Sequence, residues 1–276
     1  MKTIFIILLN FIIMQTATAQ TTGHYATING MNMYYEVYGS GSPLVLIHGG
    51  GSDIHVTFGR VLQQLAKHHR VIGIDLQAHG RTADRGVPTS FEQDADDVAS
   101  LLQHLGIAKA DIFGFSNGGT TTLQLAIRHP QLVNKLVLAS ALYNRTGVQP
   151  GFWEFMKTAS LSNMPLPLQQ AFLAINPDSN ALQTMHDRDA VRMQNFKDIP
   201  DELIGKIQAT ALVVVGDKDV IRIEHALELS RLLPGARLLV LPSGHGDYIG
   251  ELFAIANGAP QSYPAISVIE EFLLGM

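Results

Sequence analysis

The sequence predicts an α/β fold, with a mostly parallel central sheet, helices on both faces and an inserted helical cap. Three observations carry that expectation. Short apolar runs of strand character alternate with segments whose apolar residues recur at helical spacing, the pattern of strands joined by covering helices. One strand-to-helix junction carries Gly114-Phe115-Ser116-Asn117-Gly118, which reads Gly-x-Ser-x-Gly. From about residue 142 to 208 the alternation stops, prolines at 150, 165, 167, 177 and 200 divide the chain into short helices, and alternation then resumes. An insertion between two strands of one sheet explains this better than a second domain.

The first residues are not fold material. Lys2 is followed by an apolar run over 4–14, broken by Asn10, and then by the small-x-small sequence Ala17-Thr18-Ala19. This predicts a secretory signal peptide over 1–19, cleaved after Ala19, and a mature α/β domain over 20–276 that is exported to the periplasm or beyond. The competing reading is a membrane anchor, but a spanning helix needs about 20 apolar residues, so no stable anchor is expected.

Elements follow in order. The runs 25–28 and 31–37 flank Asn29-Gly30, a hairpin signal, so the mature chain opens with two antiparallel strands. Strand 44–48, helix 58–66 and strand 71–75 come next. Helix 91–105 shows Ala95, Val98, Leu101, Leu102 and Leu105 on one side. Strand 111–115 delivers Ser116, and the helix after it carries Leu123, Ala126 and Ile127 at helical spacing. Strand 132–139 precedes the cap. Strand 211–215, helix 224–233, strand 237–241 and a closing helix over 264–274 complete the sheet and its cover.

Composition excludes several function classes. The 276 residues suffice for one well-buried domain, and the net charge of −5 is unclustered, so no nucleic-acid partner is expected. There is no cysteine, hence no disulfide and no thiolate nucleophile. No His-Glu-x-x-His or similar spacing supports a metal: His68 and His69 are adjacent and diverge on a helix. Asn144-Arg145-Thr146 is a glycosylation sequon, meaningful only in a host that modifies exported proteins. Nothing specifies an oligomeric state.

The chemistry centres on Ser116. A serine on a sharp strand-to-helix turn is held clear of the sheet, and the flanking glycines avoid collisions with the adjacent strand and helix. A serine hydroxyl needs a base, a carboxylate to orient that base, and donors for the developing oxyanion. His245, in a glycine loop after the last strand, is the candidate base, although such histidines are often plain surface residues. His48 and His79 belong to other motifs, while His104 and His129 look solvent-facing. In Gly216-Asp217-Lys218-Asp219, Asp219 lies deeper in the loop and is favoured as the acid, with Asp217 read as a turn residue. The alternative acid position, after the strand ending at Ala139, offers Ser140 and no carboxylate. Oxyanion donors are expected from Gly49-Gly50-Gly51 and from the N–H of Asn117. Gly49-x-Gly51 with Asp75 also resembles half of a dinucleotide fingerprint, but Ile54 stands where its third small residue belongs.

On Leu46-Ile47-His48-Gly49-Gly50-Gly51, Asp75-Leu76-Gln77-Ala78-His79-Gly80-Arg81-Thr82, Gly114-Phe115-Ser116-Asn117-Gly118-Gly119, Gly216-Asp217-Lys218-Asp219 and Gly244-His245, the mature chain resembles the α/β-hydrolase superfamily throughout its length. The resemblance implies Ser116, Asp219 and His245 as catalytic triad, Gly50 and Asn117 as oxyanion hole, and Asp75 and His79 as structural loop residues. Ala78 departs from it, since glycine usually precedes His-Gly. A serine nucleophile argues against the dehalogenase and epoxide-hydrolase branches. The implied activity is hydrolysis of a small carboxylic ester or lactone through an acyl-enzyme, without cofactor. C–C bond hydrolysis, amide or peptide hydrolysis and haloperoxidase-like peracid formation use the same triad, and a non-catalytic ligand-binding protein is the alternative from another class. Trp153, Met156 and Met164, early in the cap, are the candidate pocket residues.

Overall fold

The computed structural model describes residues 23–259 and 262–276. The expected signal peptide and its cleavage after Ala19 lie outside the described residues.

Strands β1 (Gly23–Ile28) and β2 (Met31–Tyr38) form the expected antiparallel hairpin, with Ile28 opposite Met31. Asn29 and Gly30 both take positive φ, 44° and 82°, as a two-residue turn with this twist requires. Strands β3 (Ser42–Ile47), β4 (His69–Ile74), β5 (Ala110–Phe115), β6 (Val133–Ala139), β7 (Thr210–Gly216) and β8 (Arg237–Leu241) complete an eight-stranded sheet of order β1-β2-β4-β3-β5-β6-β7-β8. β2 pairs antiparallel with β4, and every pairing beyond it is parallel.

The near-continuous apolar runs have a simple cause: the strands are covered on both faces. Val45, Ile47, Ile72 and Ile112 point to one face, where they meet Val98 and Leu102 of α3 (Phe91–His104), Leu123 of α4 (Asn117–Arg128) and Leu229 of α9 (Ile223–Leu232). Their neighbours Leu44, Leu46 and Phe113 point to the other, against Phe58 of α1 (Ile54–Phe58), Leu65 of α2 (Leu62–Leu65) and Ile269 of α11 (Pro264–Leu274).

Two details depart from expectation. The single helix over 58–66 is instead the pair α1 and α2. Asp53 caps α1 earlier in the chain by accepting the N–H groups of His55 and Val56, and Gly59 closes it. A short helix, α10 (Leu252–Ala256), was not anticipated; five residues are too few to show a period.

Between β6 and β7 the chain forms α5 (Phe152–Lys157), α6 (Leu166–Ile175), α7 (Ser179–Gln194) and α8 (Asp201–Ile204) with short 3₁₀ turns. β6 and β7 nevertheless pair directly, Lys135 opposite Thr210 through Ala139 opposite Val214. Both ends of the excursion are rooted in the main core through Leu142, Tyr143, Val148, Ile199, Ile204 and Ile207. Its middle has a small core of its own, Phe172, Leu182 and Met185.

Candidate active site

Ser116 occupies the junction of β5 and α4 with φ 54° and ψ −119°, a conformation that costs a non-glycine residue about 1–3 kcal/mol. The flanking glycines make the turn possible. A Cβ on Gly114 would lie 2.2 Å from the carbonyl oxygen of Gly118, and one on Gly118 would lie 2.1 Å from that of Ile47. The first glycine thus admits the helix and the second admits β3.

Nε2 of His245 is 3.1 Å from Oγ of Ser116, and Nδ1 is 2.7 Å from Oδ1 of Asp219. The structure therefore brings together three residues separated by 26 and 129 positions along the chain. Asp219, only 3% exposed, also accepts the N–H of Ile221 through Oδ1 and the hydroxyl of Ser140 through Oδ2. Burial alone would push its carboxyl up, but the His245 ring and these donors hold it below the usual carboxylate range. Burial likewise acts to lower His245, and is outweighed by Asp219, so the imidazole titrates above its ordinary value. Asp217 is exposed and accepts the N–H of Ser243 at 2.9 Å, a turn contact away from His245.

In the loop after β3, Gly49 N–H faces Oγ1 of Thr57 and Gly51 N–H donates to Oδ2 of Asp189 at 2.6 Å. Among the described residues, the Gly50 N–H has no acceptor. Asn117 is the first residue of α4, so its N–H has no intrahelical acceptor either. A Cβ on Gly50 would lie 2.5 Å from Nδ2 of Asn117, so a larger residue there would have to displace that side chain.

The other histidines are engaged elsewhere. His48 is fully buried and accepts the N–H of Leu76 through Nε2 at 3.0 Å; burial pushes its imidazole down to about 3. His79 is equally buried and pairs with Asp189 at 2.9 Å. Asp75 anchors its loop by accepting the N–H groups of Ile54 and Arg81. His104 is exposed, whereas His129, expected to face solvent, is half-buried and bonded to Asp96 at 2.7 Å.

Ser116, Asn117, Gly50 and Gly51 open onto a cavity of about 250 Å³ whose far wall is the cap, including Phe155, Met156, Met164, Met193, His186 and Asp189. Met156 and Met164 thus line it. Trp153 is a correction: its ring stacks on Phe196 and under the Arg145 guanidinium, and its Nε1–H donates to the carbonyl of Arg145. A half-buried indole at a junction still seeks a partner for its N–H, and finding one in Arg145 makes Trp153 the joint between cap and core. Ser140, Tyr248 and Asp189 were not foreseen. Ser140 meets Asp219 at a separation of 79 positions, Tyr248 meets Ser140 at 108 and Asp189 meets Gly51 at 138, and no local motif marks them.

Among the described residues no three His, Asp or Glu side chains converge as a metal site, and no helix is long and apolar enough to cross a membrane. The half dinucleotide fingerprint also fails structurally. Gly51 N–H is already bonded to Asp189, and Ile54 is buried at the start of α1.

A family model described as the alpha/beta hydrolase fold matches residues 42–190. The human serine hydrolase BPHL is 29% identical over 239 residues, covering 81% of this chain and 79% of that protein. A solved serine hydrolase involved in carbazole degradation superposes with a TM-score of 0.70 at 25% identity, covering 86% of this chain and 97% of that one. The enol-lactonase from Burkholderia xenovorans LB400 gives 0.67 at 23% identity, with coverage of 85% and 97%. With a serine set on the strand-to-helix turn of such a sheet, the chain belongs to the α/β-hydrolase superfamily and is one of its serine hydrolases.

Proposed function

We propose that this protein is an exported esterase or lactonase that works through an acyl-enzyme, with Ser116, His245 and Asp219 as its triad. The observation that carries the reading is the unbroken hydrogen-bonded line from Asp219 through His245 to Ser116, at the floor of a largely apolar cavity beside two N–H groups without protein acceptors.

In this reading Ser116 Oγ attacks the acyl carbonyl as Nε2 of His245 takes its proton. Asp219, accepting from Nδ1–H, fixes the tautomer and stabilises the imidazolium. The carbonyl oxygen, now an oxyanion, is held by the N–H groups of Gly50 and Asn117. Collapse expels the alkoxide, which His245 protonates. Water then attacks the acyl-enzyme by the same steps in reverse roles. The apolar wall favours an uncharged acyl group.

Fluorophosphonate labelling of Ser116 combined with a panel of esters and lactones tests the reading. Labelling with turnover of the panel supports it. Labelling without such turnover transfers the activity to C–C or amide bonds, and absence of labelling removes the triad. Export is tested by N-terminal sequencing of material from outside the cytoplasm, where Gln20 is expected first and an intact Met1 contradicts it.

A further inference from the structure

Asp189, on α7, is where the cap touches the loop after β3. Its Oδ2 accepts the N–H of Gly51 at 2.6 Å and lies 2.9 Å from Nε2 of His79, while Oδ1 is held by Arg192 one turn along the same helix. The Nδ1 of His79 lies 2.8 Å from the carbonyl oxygen of Gln77. A carbonyl and a carboxylate only accept, so both ring nitrogens of His79 donate and the ring is a cation. Arg192 in turn binds Asp94 on α3 at 2.6 Å and lies over the Phe91 ring. The carboxylate of a cap residue is therefore fixed from two sides, and its side chain, 13% exposed, still reaches the cavity.

Its position matters because of what it grips. Three successive glycines rotate at little steric cost, so the loop needs holding from outside its own backbone. The Gly49–Gly50 peptide, which carries the Gly50 N–H, is held at its carbonyl oxygen by Nδ1–H of His48 at 2.7 Å, and the peptide on the other side of Gly50 is held from the cap. Gly51 takes φ 61°, and its N–H donates to Asp189. A Cβ on Gly50 would lie 3.1 Å from Oδ2 of Asp189 and 2.5 Å from Nδ2 of Asn117, so these three residues meet at one point.

We infer that Asp189 is a positioning residue: from the cap it pins the Gly50–Gly51 peptide while His48 pins the Gly49–Gly50 peptide, so Gly50 is clamped on both sides and its N–H stays aimed at the substrate carbonyl. The oxyanion loop is then clamped on both sides only with the cap in place. The inference rests on the acyl-transfer reading above.

The test compares wild type with Asp189→Ala and Asp189→Asn; the asparagine keeps an acceptor for the Gly51 N–H. Measured are kcat and KM on the best ester of the panel, inhibition by a trifluoromethyl ketone that forms an oxyanion on Ser116, the second-order rate of fluorophosphonate labelling, and Tm. An oxyanion donor is worth about 10²–10³ in kcat, so a misaimed one should cost about 10–100-fold. The expected result is that loss in kcat for Asp189→Ala, with KM within a few-fold, a matching loss in inhibitor affinity and labelling rate, and recovery of most of it in Asp189→Asn. Wild-type kcat in Asp189→Ala overturns the inference. So does a loss confined to KM, or a loss shared by Asp189→Asn and proportional to a fall in Tm, since either would make Asp189 a mere fastening of the cap. If wild type cleaves no ester or lactone, the acyl-transfer reading fails, yet the labelling rates still decide the role of Asp189, because the same N–H groups polarise the phosphonate oxygen.

Discussion

The hydroxyl of Ser140 donates to Oδ2 of Asp219 at 2.5 Å, and Tyr248 Oη stands 2.6 Å behind it. A carboxylate only accepts, so the serine proton is committed and Tyr248 supplies its own to Ser140. The end of β6, which carries no acid, thus braces the acid delivered by β7. Net hydrogen bonds to charged groups are worth about 1.5–3 kcal/mol, part of it expressed in the transition state. Ser140→Ala should lower kcat about 10-fold with KM little changed, and Tyr248→Phe should lower it less. Steady-state kinetics showing wild-type kcat in Ser140→Ala would remove the brace from the mechanism.

Dissection of the triad should be graded. Ser116→Ala or His245→Ala should cost on the order of 10⁶ in kcat and Asp219→Asn roughly 10⁴. Asp217→Asn should stay near wild type, since Asp217 holds only the N–H of Ser243. A crippled Asp217→Asn beside a mild Asp219→Asn would reverse the assignment of the acid.

The pH profile follows from the direction of the His245 shift. The base must be neutral to accept the serine proton, and Asp219, overcoming burial, raises its pKa above the ordinary 6.5. The acid limb of kcat/KM should therefore reach half-maximum above 6.5, and Asp219→Asn should move the residual activity's limb to lower pH. Profiles of the two proteins on one substrate check this; coincident limbs would mean that another group titrates.

Pocket selectivity should separate Met156 and Met164 from Trp153. The methionines line the cavity, and a methylene there is worth roughly 1–3 kcal/mol, so alanine at either should reorder acyl-length preference by about 10–200-fold with Tm nearly unchanged. Trp153→Ala should instead lower Tm and scale all substrates alike. A reordered preference in Trp153→Ala would show that the cap's joint also shapes the pocket.

Ala78, where related proteins usually carry glycine, has φ 65°. A left-handed L-residue costs about 1–2 kcal/mol, which offsets the lost methyl burial and the added unfolded-chain freedom of a glycine there. Ala78→Gly should leave Tm within roughly a degree. Ala95→Gly, at a fully buried site inside α3, should lower it by about 2–4 °C. Calorimetry on the two variants checks the contrast, and an equal fall in both would deny the strain at Ala78.

What was legible in the chain was whatever is encoded locally. Asn29-Gly30 marks a turn by its own backbone preference, and Gly114 and Gly118 mark the nucleophile's turn because their neighbours leave no room for a side chain. Asp219 was separable from Asp217 by depth in one loop. The seat of Trp153 away from the cavity, the bond of Asp189 to Gly51 and the brace of Ser140 on Asp219 were not legible, because each depends on where distant segments meet. The charges of Asp189 and Arg192 read along α7 as an ordinary solvated helix face. Only folding turns that face onto His79 and Asp94.

β6 and β7 remain hydrogen-bonded neighbours although 70 residues separate Ala139 from Thr210. Closing a flexible excursion costs entropy that grows only with the logarithm of its length, about 0.6 kcal/mol per doubling. Changes in the length of this excursion therefore cost the sheet little closure entropy, whereas the strand ends bearing Ser116, Asp219 and His245, and the contact of Asp189 with Gly51, are not free to drift. Lineages can change what they consume without reinventing how they cleave it, and a graft of foreign helices between Ala139 and Thr210 is the laboratory form of that history.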